Sequence, residues 1–335
     1  MALEYADSFD TYTTAEIVRR YPTSAAAAIG SPGPSGSGQF MVAGPSSGSF
    51  TFNITARDEY YIGFDLLNTT VTASASNLIT IQTAAGATIC LITHDTALQT
   101  TFGNSSAIFA NNVWYQVQIH IVRSPTVGLL TVKVDGVTVI NLAGLNTGAA
   151  SIGKIVIGLG VSTFSQILSQ IANLWVFNTL GSHSNGFPTG RIKVQPLLPA
   201  ADGTYQSWTP NSGVSHFSRV NEAQADDDTT YNSTIASGNK DSYTIGALPG
   251  TPAQIHGILV TAITRKTDVN SKNYQVFSKS GATEATSADI GVPLTYGSST
   301  VNGAAALLLA DDPNTSAQWT QANLNAIEIG VKVTL

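Results

Sequence analysis

The stretch WYQVQIHIVRSPTVGLLTVKVDGVTVI, from Trp114 to Ile140, decides the fold class. Apolar and polar residues alternate along it, and a period of two places one face of each strand in a core. Asp135-Gly136 is a dipeptide favoured in two-residue hairpin turns, because both positions of such a turn need a positive φ. The stretch therefore predicts antiparallel strands in one layer of a sandwich.

Short strand-like runs recur on both sides of this stretch. Turn residues separate the runs, and no alternation of strands with long helices occurs, so the pattern indicates a sandwich or jelly roll. The predicted strands of this half are 39–43, 49–55, 60–67, 78–82, 88–93, 107–109, 113–122, 129–134, 137–142, 152–159 and 173–177.

A loop rich in Gly, Asn, Ser and Pro follows Phe177 and predicts a domain boundary. We therefore expect an all-β chain of two antiparallel β-sandwich or jelly-roll domains, residues 1–185 and 191–335. The second domain has its own predicted strands, at 191–198, 216–220, 241–248, 255–265, 273–280, 294–296, 304–309 and 326–334.

Three local patterns add detail. The nearly continuous apolar run from Ala253 to Val260 predicts a central strand covered on both faces. Thr320 is a competent N-cap and predicts a helical turn after it, and the segment from Thr14 to Tyr21 predicts a short helix before Pro22.

The Gly, Ala, Ser and Pro mixture of residues 24–49 predicts an irregular loop around the strand at 39–43. The alternative is a flexible arm that wraps a neighbouring subunit.

The composition narrows the function classes. Only 11% of the 335 residues are charged and the net charge is −6, without a cluster of Lys and Arg. Nucleic-acid binding needs such a cluster, so no nucleic acid is expected as a partner. No apolar run reaches the length of a membrane span, and the start MALEYADSFD lacks the apolar core of a secretory signal. The single cysteine, Cys90, lies among apolar residues and is expected as a buried strand thiol.

The residues quoted so far resemble a known family. An aromatic residue before an apolar strand, followed by a strand that ends in Val-Asp-Gly, is similar to the concanavalin A-like (laminin-G-type) jelly roll. The segment from Gly186 to Tyr231, GFPTGRIKVQPLLPAADGTYQSWTPNSGVSHFSRVNEAQADDDTTY, resembles a segment of structural proteins of tailed bacteriophages. The opening Asp7-Ser8-Phe9-Asp10 with Tyr12 resembles the start of those proteins.

This resemblance implies a function in the virion. It implies a non-enzymatic structural protein, assembled in the host cytoplasm, that acts through contacts with capsid or tail subunits as a decoration, cement, head-fibre or tail component. It also implies an oligomer, expected as a homotrimer. The alternative is a lectin-like receptor-recognition module of the tail that binds host-surface polysaccharide.

Two sets of side chains are candidates for ligand binding. The adjacent carboxylates Asp226, Asp227 and Asp228 offer hard oxygen ligands for Ca²⁺, although their spacing lacks the alternation of a known calcium loop. The alternative is that this segment is a solvated capping or interface loop. Lectin-like sandwiches hold sugar or Ca²⁺ at a rim, and the resemblance implies such a rim here, with candidate residues Asp65, Asn68, Asn111, Asn112 and Trp114.

Catalytic motifs are lacking. The five histidines are scattered, and no nucleophile elbow, H-E-x-x-H, C-x-x-C or phosphate-binding loop occurs. No enzymatic activity and no cofactor are therefore expected. A polysaccharide depolymerase remains a third class, because paired carboxylates meet only in the folded protein.

Overall fold

The computed structural model describes residues 2–21, 27–34, 38–43, 48–68, 76–94, 98–105, 109–159, 169–181, 186–300 and 307–335. These residues form two compact units that divide between Gln195 and Pro196, downstream of the loop in which the sequence predicts the boundary. The regular structure is almost entirely strand, and every strand pair within the described residues is antiparallel. The predicted all-β, antiparallel fold class is confirmed.

Unit 1 contains thirteen strands and one short helix in the described ranges. Their bounds are β1 (Ala2–Asp7), α1 (Ile17–Arg20), β2 (Ala27–Gly30), β3 (Phe40–Ala43), β4 (Gly48–Arg57), β5 (Glu59–Asn68), β6 (Ser76–Thr83), β7 (Thr88–His94), β8 (Leu98–Thr100), β9 (Trp114–Val122), β10 (Gly128–Val134), β11 (Val137–Leu145), β12 (Ile152–Leu159) and β13 (Ser169–Asn178).

Two sheets make unit 1 a β-sandwich. The large sheet has the order β11-β10-β9-β5-β13-β3-β2, with β1 also paired to β13, and the small sheet has the order β4-β12-β6-β7-β8. Side chains from both inner faces form one core, in which Ile62 and Ile119 of the large sheet join Phe52 and Ile155 of the small sheet. The alternation in the sequence thus predicts the inner face correctly.

The hairpin that the sequence predicts between β10 and β11 is present. Asp135 and Gly136 have φ values of 47° and 80°, and Val134 pairs with Val137 on either side of them. Two residues with positive φ match the turn type whose twist suits two flanking strands. The part of the predicted strand at 107–108 and, of the predicted loop or arm at 24–49, residues 24–26, 35–37 and 44–47 lie outside the described residues. The strand predicted at 39–43 is present as β3, but residues 27–30 of the predicted loop form a second strand, β2, which pairs with β3.

Unit 2 contains fourteen strands, most of them short, within the part that the structure describes. The bounds are β14 (Pro199–Gln206), β15 (Thr209–Pro210), a 3-10 turn (Phe217–Arg219), β16 (Asn232–Ser233), β17 (Lys240–Ile245), β18 (Ile258–Val260), β19 (Ile263–Thr264), β20 (Asn273–Ser280), β21 (Thr283–Thr286), β22 (Ile290–Gly291), β23 (Gly297–Ser298), β24 (Leu307–Leu309), β25 (Asp311–Asp312), β26 (Ala317–Gln318), α2 (Gln321–Leu324) and β27 (Glu328–Val333).

One sheet dominates unit 2. Its order is β14-β17-β27-β20-β21, with β22 on β20, and four further pairs of short strands lie outside it. Its apolar residues divide into two small clusters, one around Trp319 and Ile327 and one around Tyr274 and Val276. No cluster among the described residues of unit 2 approaches the size of the sandwich core of unit 1.

Several strand predictions for unit 2 are wrong. The apolar run from Ala253 to Val260 is not a central strand, because only Ile258–Val260 is extended and it pairs with β24 alone. Residues 216–220 form the 3-10 turn, and residues 191–198 are irregular. Most residues of these runs are partly buried, and apolar residues that cover other elements without ladder hydrogen bonds produce the same sequence pattern as a buried strand.

The two predicted helices exist but are short. Thr320 caps α2 as predicted, since its Oγ1 accepts a hydrogen bond from the backbone N–H of Asn323 at 3.1 Å. Helix α1 begins later than predicted, at Ile17, and Glu16 occupies its N-cap position without a side-chain cap.

Candidate interaction surfaces

Four of the five predicted rim residues lie at one end of the large sheet. Trp114 begins β9 and pairs with Leu67, so Asn68 at the end of β5 and the exposed turn at Asn111 and Asn112 belong to the same end. Asn112 has a φ of 59°, a conformation that Asn tolerates better than most residues. The side chain of Asn68 is outside the described structure.

Trp114 is only partly available to a ligand. Its ring packs against Phe40 with 6.0 Å between the ring centroids, and the residue is half-buried. Asn111, Asn112 and Trp114 thus lie close together in the chain at this end of the sheet, with two exposed Asn residues before a half-buried Trp.

Asp65 does not belong to this group. The residue lies within β5 opposite Gln116, and its side chain is only 1% exposed. Its carboxylate accepts hydrogen bonds from Asn173 Nδ2 and Arg191 Nε, both at 2.7 Å. Burial raises the pKa of the Asp65 carboxyl, and the bonds from Asn173 and Arg191 offset this only in part. Asp65 therefore has a structural role that its residue type alone does not reveal.

The partner of Asp65 belongs to a segment that covers the outer face of the large sheet. We call residues 186–195 the strap. Arg191 reaches Asp65, the backbone N–H of Val194 donates to Asn173 Oδ1 at 3.0 Å, and Gln118 Nε2 donates to the Pro188 carbonyl at 3.3 Å. The segment that the sequence predicts as part of a domain boundary and a new strand is thus bound to unit 1.

Aromatic contacts hold the first part of the strap. The ring of Phe187 meets Tyr61 and His120 edge-on, with centroid distances of 5.3 Å and 5.9 Å. Lys133 Nζ lies 4.3 Å from the centroid of the same ring. His120 in turn stacks on Tyr61 and lies 2.7 Å from a carboxylate oxygen of Glu59. The outer face is therefore occupied by side chains of the chain itself.

The three adjacent aspartates are each held separately. Asp226 accepts hydrogen bonds from the backbone N–H and the hydroxyl of Thr230, at 3.0 Å and 2.9 Å. Asp227 has a φ of 58°, and Asp228 forms an ion pair with Arg265. These contacts match the capping-loop alternative for the acidic segment.

Metal binding by the aspartates stays a prediction. In the described ranges, no group of three or more His, Cys, Asp or Glu side chains is arranged to hold a metal ion.

None of the helices in the described part of the chain has the length and apolar composition needed to cross a bilayer.

Unit 1 contains a buried charged cluster near its start that no pattern in the sequence indicates. Arg20 donates from Nε to the Asp7 carboxylate at 2.9 Å and from Nη1 to the hydroxyl of Tyr12 at 2.9 Å. Tyr21 donates to Asp7 at 2.6 Å, and its hydroxyl also meets that of Tyr5. Arg20 is 3% exposed and Asp7 is 4% exposed, so the pair is sealed from water. The cluster ties α1 to β1, and no ligand is needed to satisfy its charges.

Unit 2 contains a buried histidine–carboxylate pair. His216 Nδ1 lies 2.9 Å from Asp241, which is fully buried and also accepts a hydrogen bond from Tyr243 at 2.7 Å. Asn232 Nδ2 donates to the His216 carbonyl at 2.9 Å. Burial raises the pKa of the Asp241 carboxyl, and the bonds from Tyr243 and His216 offset this in part. This cluster attaches the segment around the 3-10 turn to the start of β17.

The outer face of the main sheet of unit 2 is polar. Lys279 Nζ lies 2.9 Å from Glu328, whose carboxylate also accepts hydrogen bonds from Thr204 and Ser242. Partial burial acts to raise the pKa of Glu328, but the bonds from Thr204, Ser242 and Lys279 outweigh it and lower the pKa to about 2. A second pair, Lys240 with Glu284 at 2.5 Å, lies on the same face. Lys279 and Lys240 thus each have a carboxylate partner on this face.

The loops at one end of the main sheet of unit 2 expose large apolar side chains. Ile235 is 99% exposed, Val214 is 89% exposed and Val269 is 86% exposed. Leu294 and Tyr231 are exposed to a smaller extent. We call these five residues the apolar end.

Hydrogen bonds join several of these loops to this end of the sheet. Strand β17 starts, and β27 ends, at this end of the sheet, because Lys240 pairs with Lys332. The loop that carries Ile235 is bonded to the end of β27 through Gly238 N–H to the Val333 carbonyl at 2.8 Å. Further bonds join the neighbouring segments: Asn211 N–H to the Tyr231 carbonyl, the Asn239 side chain to the Ser207 carbonyl, and Thr334 N–H to the Asn273 carbonyl.

A sequence signal for the apolar end exists in hindsight. The segments 207–215 and 229–239 contain no charged residue, and each places isolated Val, Ile or Tyr among Ser, Thr and Asn. Such segments read as ordinary loops, because exposure of a single apolar residue cannot be recognised before the fold is known.

No protein-family model matches the chain, and no curated protein matches it. Solved structures with partial likeness include a sialidase, with a TM-score of 0.40 and 16% identity over 54% of this chain and 19% of the sialidase. The binding domain of Paraclostridial Mosquitocidal Protein 1 follows, with a TM-score of 0.33 and 10% identity over 46% of this chain and 42% of that one. The botulinum neurotoxin serotype G binding domain has a TM-score of 0.34 and 11% identity over the same shares.

This chain thus spans less than half the length of these three proteins. TM-scores of 0.40 and below carry no argument about its function.

Proposed function

We propose that this chain is a non-enzymatic structural protein of a tailed-bacteriophage virion that acts through contacts with other subunits. The observation that carries the proposal is the apolar end, where Ile235, Val214 and Val269 are almost fully exposed on loops of one sheet end. Isolated exposed apolar residues are normal, but a group of them at one place marks an interaction site.

The composition supports the same function. A surface with few charges and many Ser, Thr and Asn residues is suited to extended contacts, since charged residues are depleted at the centres of protein interfaces. The resemblance of the segment from Gly186 to Tyr231 to phage structural proteins names the kind of assembly, a capsid or a tail.

Purified particles provide the test. Quantitative mass spectrometry of virions should find the chain as a stoichiometric component, and immunogold labelling should place it on the head or on the tail. Hundreds of copies would assign it to the shell, whereas a few dozen at most would assign it to the tail. Absence from purified virions would contradict the proposal.

A second candidate function is binding of host-surface polysaccharide at the rim of unit 1. The exposed amides of Asn111 and Asn112 beside the half-buried ring of Trp114 favour it, because sugar sites combine amide groups with an aromatic edge. A glycan array probed with the full chain and with Trp114→Ala tests it. Binding that the substitution abolishes would favour recognition, and no binding to any host glycan would remove this candidate.

The non-enzymatic character has its own test. Incubation of the full chain with host polysaccharide should release no reducing ends above the buffer control. Release that scales with protein concentration would make the chain a depolymerase.

A further inference from the structure

We infer that the outer face of the large sheet is a binding site for a peptide segment that carries an aromatic residue and, four residues later, an arginine. In this chain the strap occupies the site as a ligand in cis, and a partner protein that presents the same pattern binds by displacing it. This site is separate from the apolar end and does not depend on the proposed function in a virion.

The side chains of the face form two subsites. The aromatic subsite consists of Tyr61, His120 and Lys133, and the rings of Tyr61 and His120 stack with 4.1 Å between their centroids. The acidic subsite is the carboxylate of Asp65, four residues after Tyr61 on β5. Both subsites face away from the core, because residues at the alternate positions of β5, such as Ile62, belong to the core.

The strap meets the two subsites in the same order. Phe187 lies at the aromatic subsite, with its ring centroid 5.3 Å from that of Tyr61. Arg191 follows four residues later and reaches the acidic subsite, with Nε 2.7 Å from the Asp65 carboxylate. One short segment thus satisfies both subsites at once, as a peptide ligand does.

Side-chain amides of the sheet bind the backbone of the strap. Gln118 Nε2 donates to the Pro188 carbonyl at 3.3 Å, and the backbone N–H of Val194 donates to Asn173 Oδ1 at 3.0 Å. Asn173 has a φ of 49° at a register shift between β13 and β5, and its Nδ2 donates to Asp65. Such irregularities re-aim side chains. Bonds to backbone groups accept any sequence, so the two subsites supply the selectivity.

The exposure of the ion pair distinguishes a docked segment from a structural one. The side chain of Arg191 is 37% exposed, whereas that of Asp65 is 1% exposed. In the pair of Arg20 with Asp7, the corresponding fractions are 4% and 3%, so both partners are sealed inside. An exposed cation on a buried carboxylate indicates a preformed site that receives its ligand from the solvent side.

The sandwich core does not include the strap. Among the described residues, the core of unit 1 and the side chains packed against it come from residues 5–176. The apolar strap residues Phe187, Ile192 and Val194 therefore lie outside that core, and Arg191 and Lys193 are exposed. Displacement of the strap leaves the core packing in place, so the site exists independently of its occupant.

The first test is fluorescence anisotropy of a labelled peptide with the sequence of residues 186–195. In the full chain, Phe187→Ala combined with Arg191→Ala vacates both subsites, and this vacated variant should bind the peptide with a Kd of about 100 µM. The wild type should bind about 10-fold more weakly, because its strap competes at an effective concentration of about 1 mM. The matched control peptide has Ala in place of Phe187 and Arg191 and should not bind.

Two further measurements locate the peptide. Proton NMR should show that the peptide shifts the ring signals of His120 and leaves those of His216 in unit 2 unchanged. In the vacated variant, Asp65→Asn should weaken binding about 10-fold, because the arginine of the peptide loses a charged acceptor. Asp58→Asn is the matched control, since Asp58 is an exposed carboxylate just before β5, and it should leave binding unchanged.

The wild type provides a test without substitutions. If the strap leaves the face while the sandwich stays folded, the N–H of Val194 should exchange with solvent faster than that of Ile119 in the centre of β9. Equal exchange rates at the two positions would mean that the strap opens only when unit 1 unfolds, and this would overturn the inference.

Three other outcomes would also overturn it. One is a vacated variant that keeps its near-UV circular dichroism and binds no peptide up to about 1 mM, the effective concentration of a tethered ligand. Another is equal binding of the control peptide. The third is loss of the near-UV signal in the vacated variant, which would make the strap an integral part of the fold. None of these results changes whether the chain is found in purified virions.

Discussion

The two units differ in where they place their apolar and charged residues. Unit 1 places its apolar residues between two sheets, and its charged residues Asp7 and Arg20 lie inside as a satisfied pair. Its exposed large apolar residues include Val127, in the turn before β10, and Val137, at the start of β11. Unit 2 has one main sheet with two small apolar clusters, and it leaves Ile235 and its neighbours in solvent.

The difference shows where each unit buries its apolar residues. A sandwich buries both inner faces within one chain, and the core of unit 1 is formed from residues of both of its sheets. A single sheet with small clusters buries less apolar surface per residue, and polar networks such as that of Glu328 carry more of its order. Exposed apolar loops on that unit are then available to another subunit.

The largest expected change in the free energy of unfolding concerns the buried ion pair of unit 1. Arg20→Met should lower the free energy of unfolding by about 3 to 5 kcal/mol, because the buried Asp7 carboxylate loses its counter-charge. Chemical denaturation followed by near-UV circular dichroism measures it. Arg19→Met is the matched control: Arg19 is the preceding residue of the same helix, and its side chain is 18% exposed. Its buried partner Glu16 also accepts a hydrogen bond from the backbone N–H of Thr13, so the loss of unfolding free energy should be smaller than for Arg20→Met. Equal losses for both variants would mean that the cluster has no special role.

The next effect tests the outer face of unit 1. Arg191→Ala removes the cation that faces buried Asp65 and should cost about 1 to 3 kcal/mol, less than the loss of Arg20 because the Arg191 side chain is 37% exposed. Hydrogen exchange should also show faster exchange at Val194, whose N–H bonds Asn173. Lys193→Ala, an exposed residue of the same strap, is the control. Unchanged exchange at Val194 in Arg191→Ala would show that the strap does not depend on this ion pair.

The third prediction concerns the pH dependence of the stability of unit 2. The pKa of Glu328 is lowered from 4.5 to about 2 in the folded protein. The contribution of Glu328 to the free energy of unfolding is therefore present above pH 4.5 and is lost as the pH falls towards 2. Glu328→Gln should therefore be destabilised by about 1 to 2 kcal/mol at pH 6, after allowance for solvent screening, and by much less near pH 2. Urea denaturation at both pH values measures it.

The control variant is Glu222→Gln, for which we expect a pH dependence of the opposite sign. Burial raises the pKa of Glu222, so its contribution is present below pH 4.5 and is lost as the pH rises through its folded pKa. The stability of the wild type relative to Glu222→Gln should therefore fall between acid and neutral pH. A difference of the same sign for both variants would contradict the assignment.

The smallest effect tests the turn that decides the fold class. Gly136 has a φ of 80° with open space around its Cα, so Gly136→Ala should cost about 1 kcal/mol from backbone strain alone. Gly291 also has open space but an ordinary φ, and Gly291→Ala should be neutral or slightly stabilising. Thermal unfolding of the two variants compares them. A loss at Gly291 as large as that at Gly136 would assign the cost to something other than φ.

The sequence predicts unit 1 better than unit 2 for a physical reason. In the sandwich, one face of each strand is buried and the other is not, so strands such as Trp114–Val122 show their alternation directly. In unit 2, apolar segments such as Ala253–Val260 are only partly buried and do not belong to a long ladder, so no period marks them. Surface residues are harder to predict than strands. Asp65 has the residue type of a rim ligand, and only the fold brings Arg191 to it. Likewise, Ile235 lies in an uncharged segment of Ser, Thr and Asn that resembles an ordinary loop, so its exposure is visible only in the fold.

Cys90 of β7 gives the protein a built-in reporter. It is the only cysteine, it is fully buried as the sequence predicts, and burial raises the pKa of its thiol to about 12. A maleimide dye should therefore ignore the native chain and react only when unit 1 opens. Cysteines introduced on the surface can then be labelled one at a time in the native background, and the rate at which Cys90 itself is modified records the opening of unit 1 independently of unit 2.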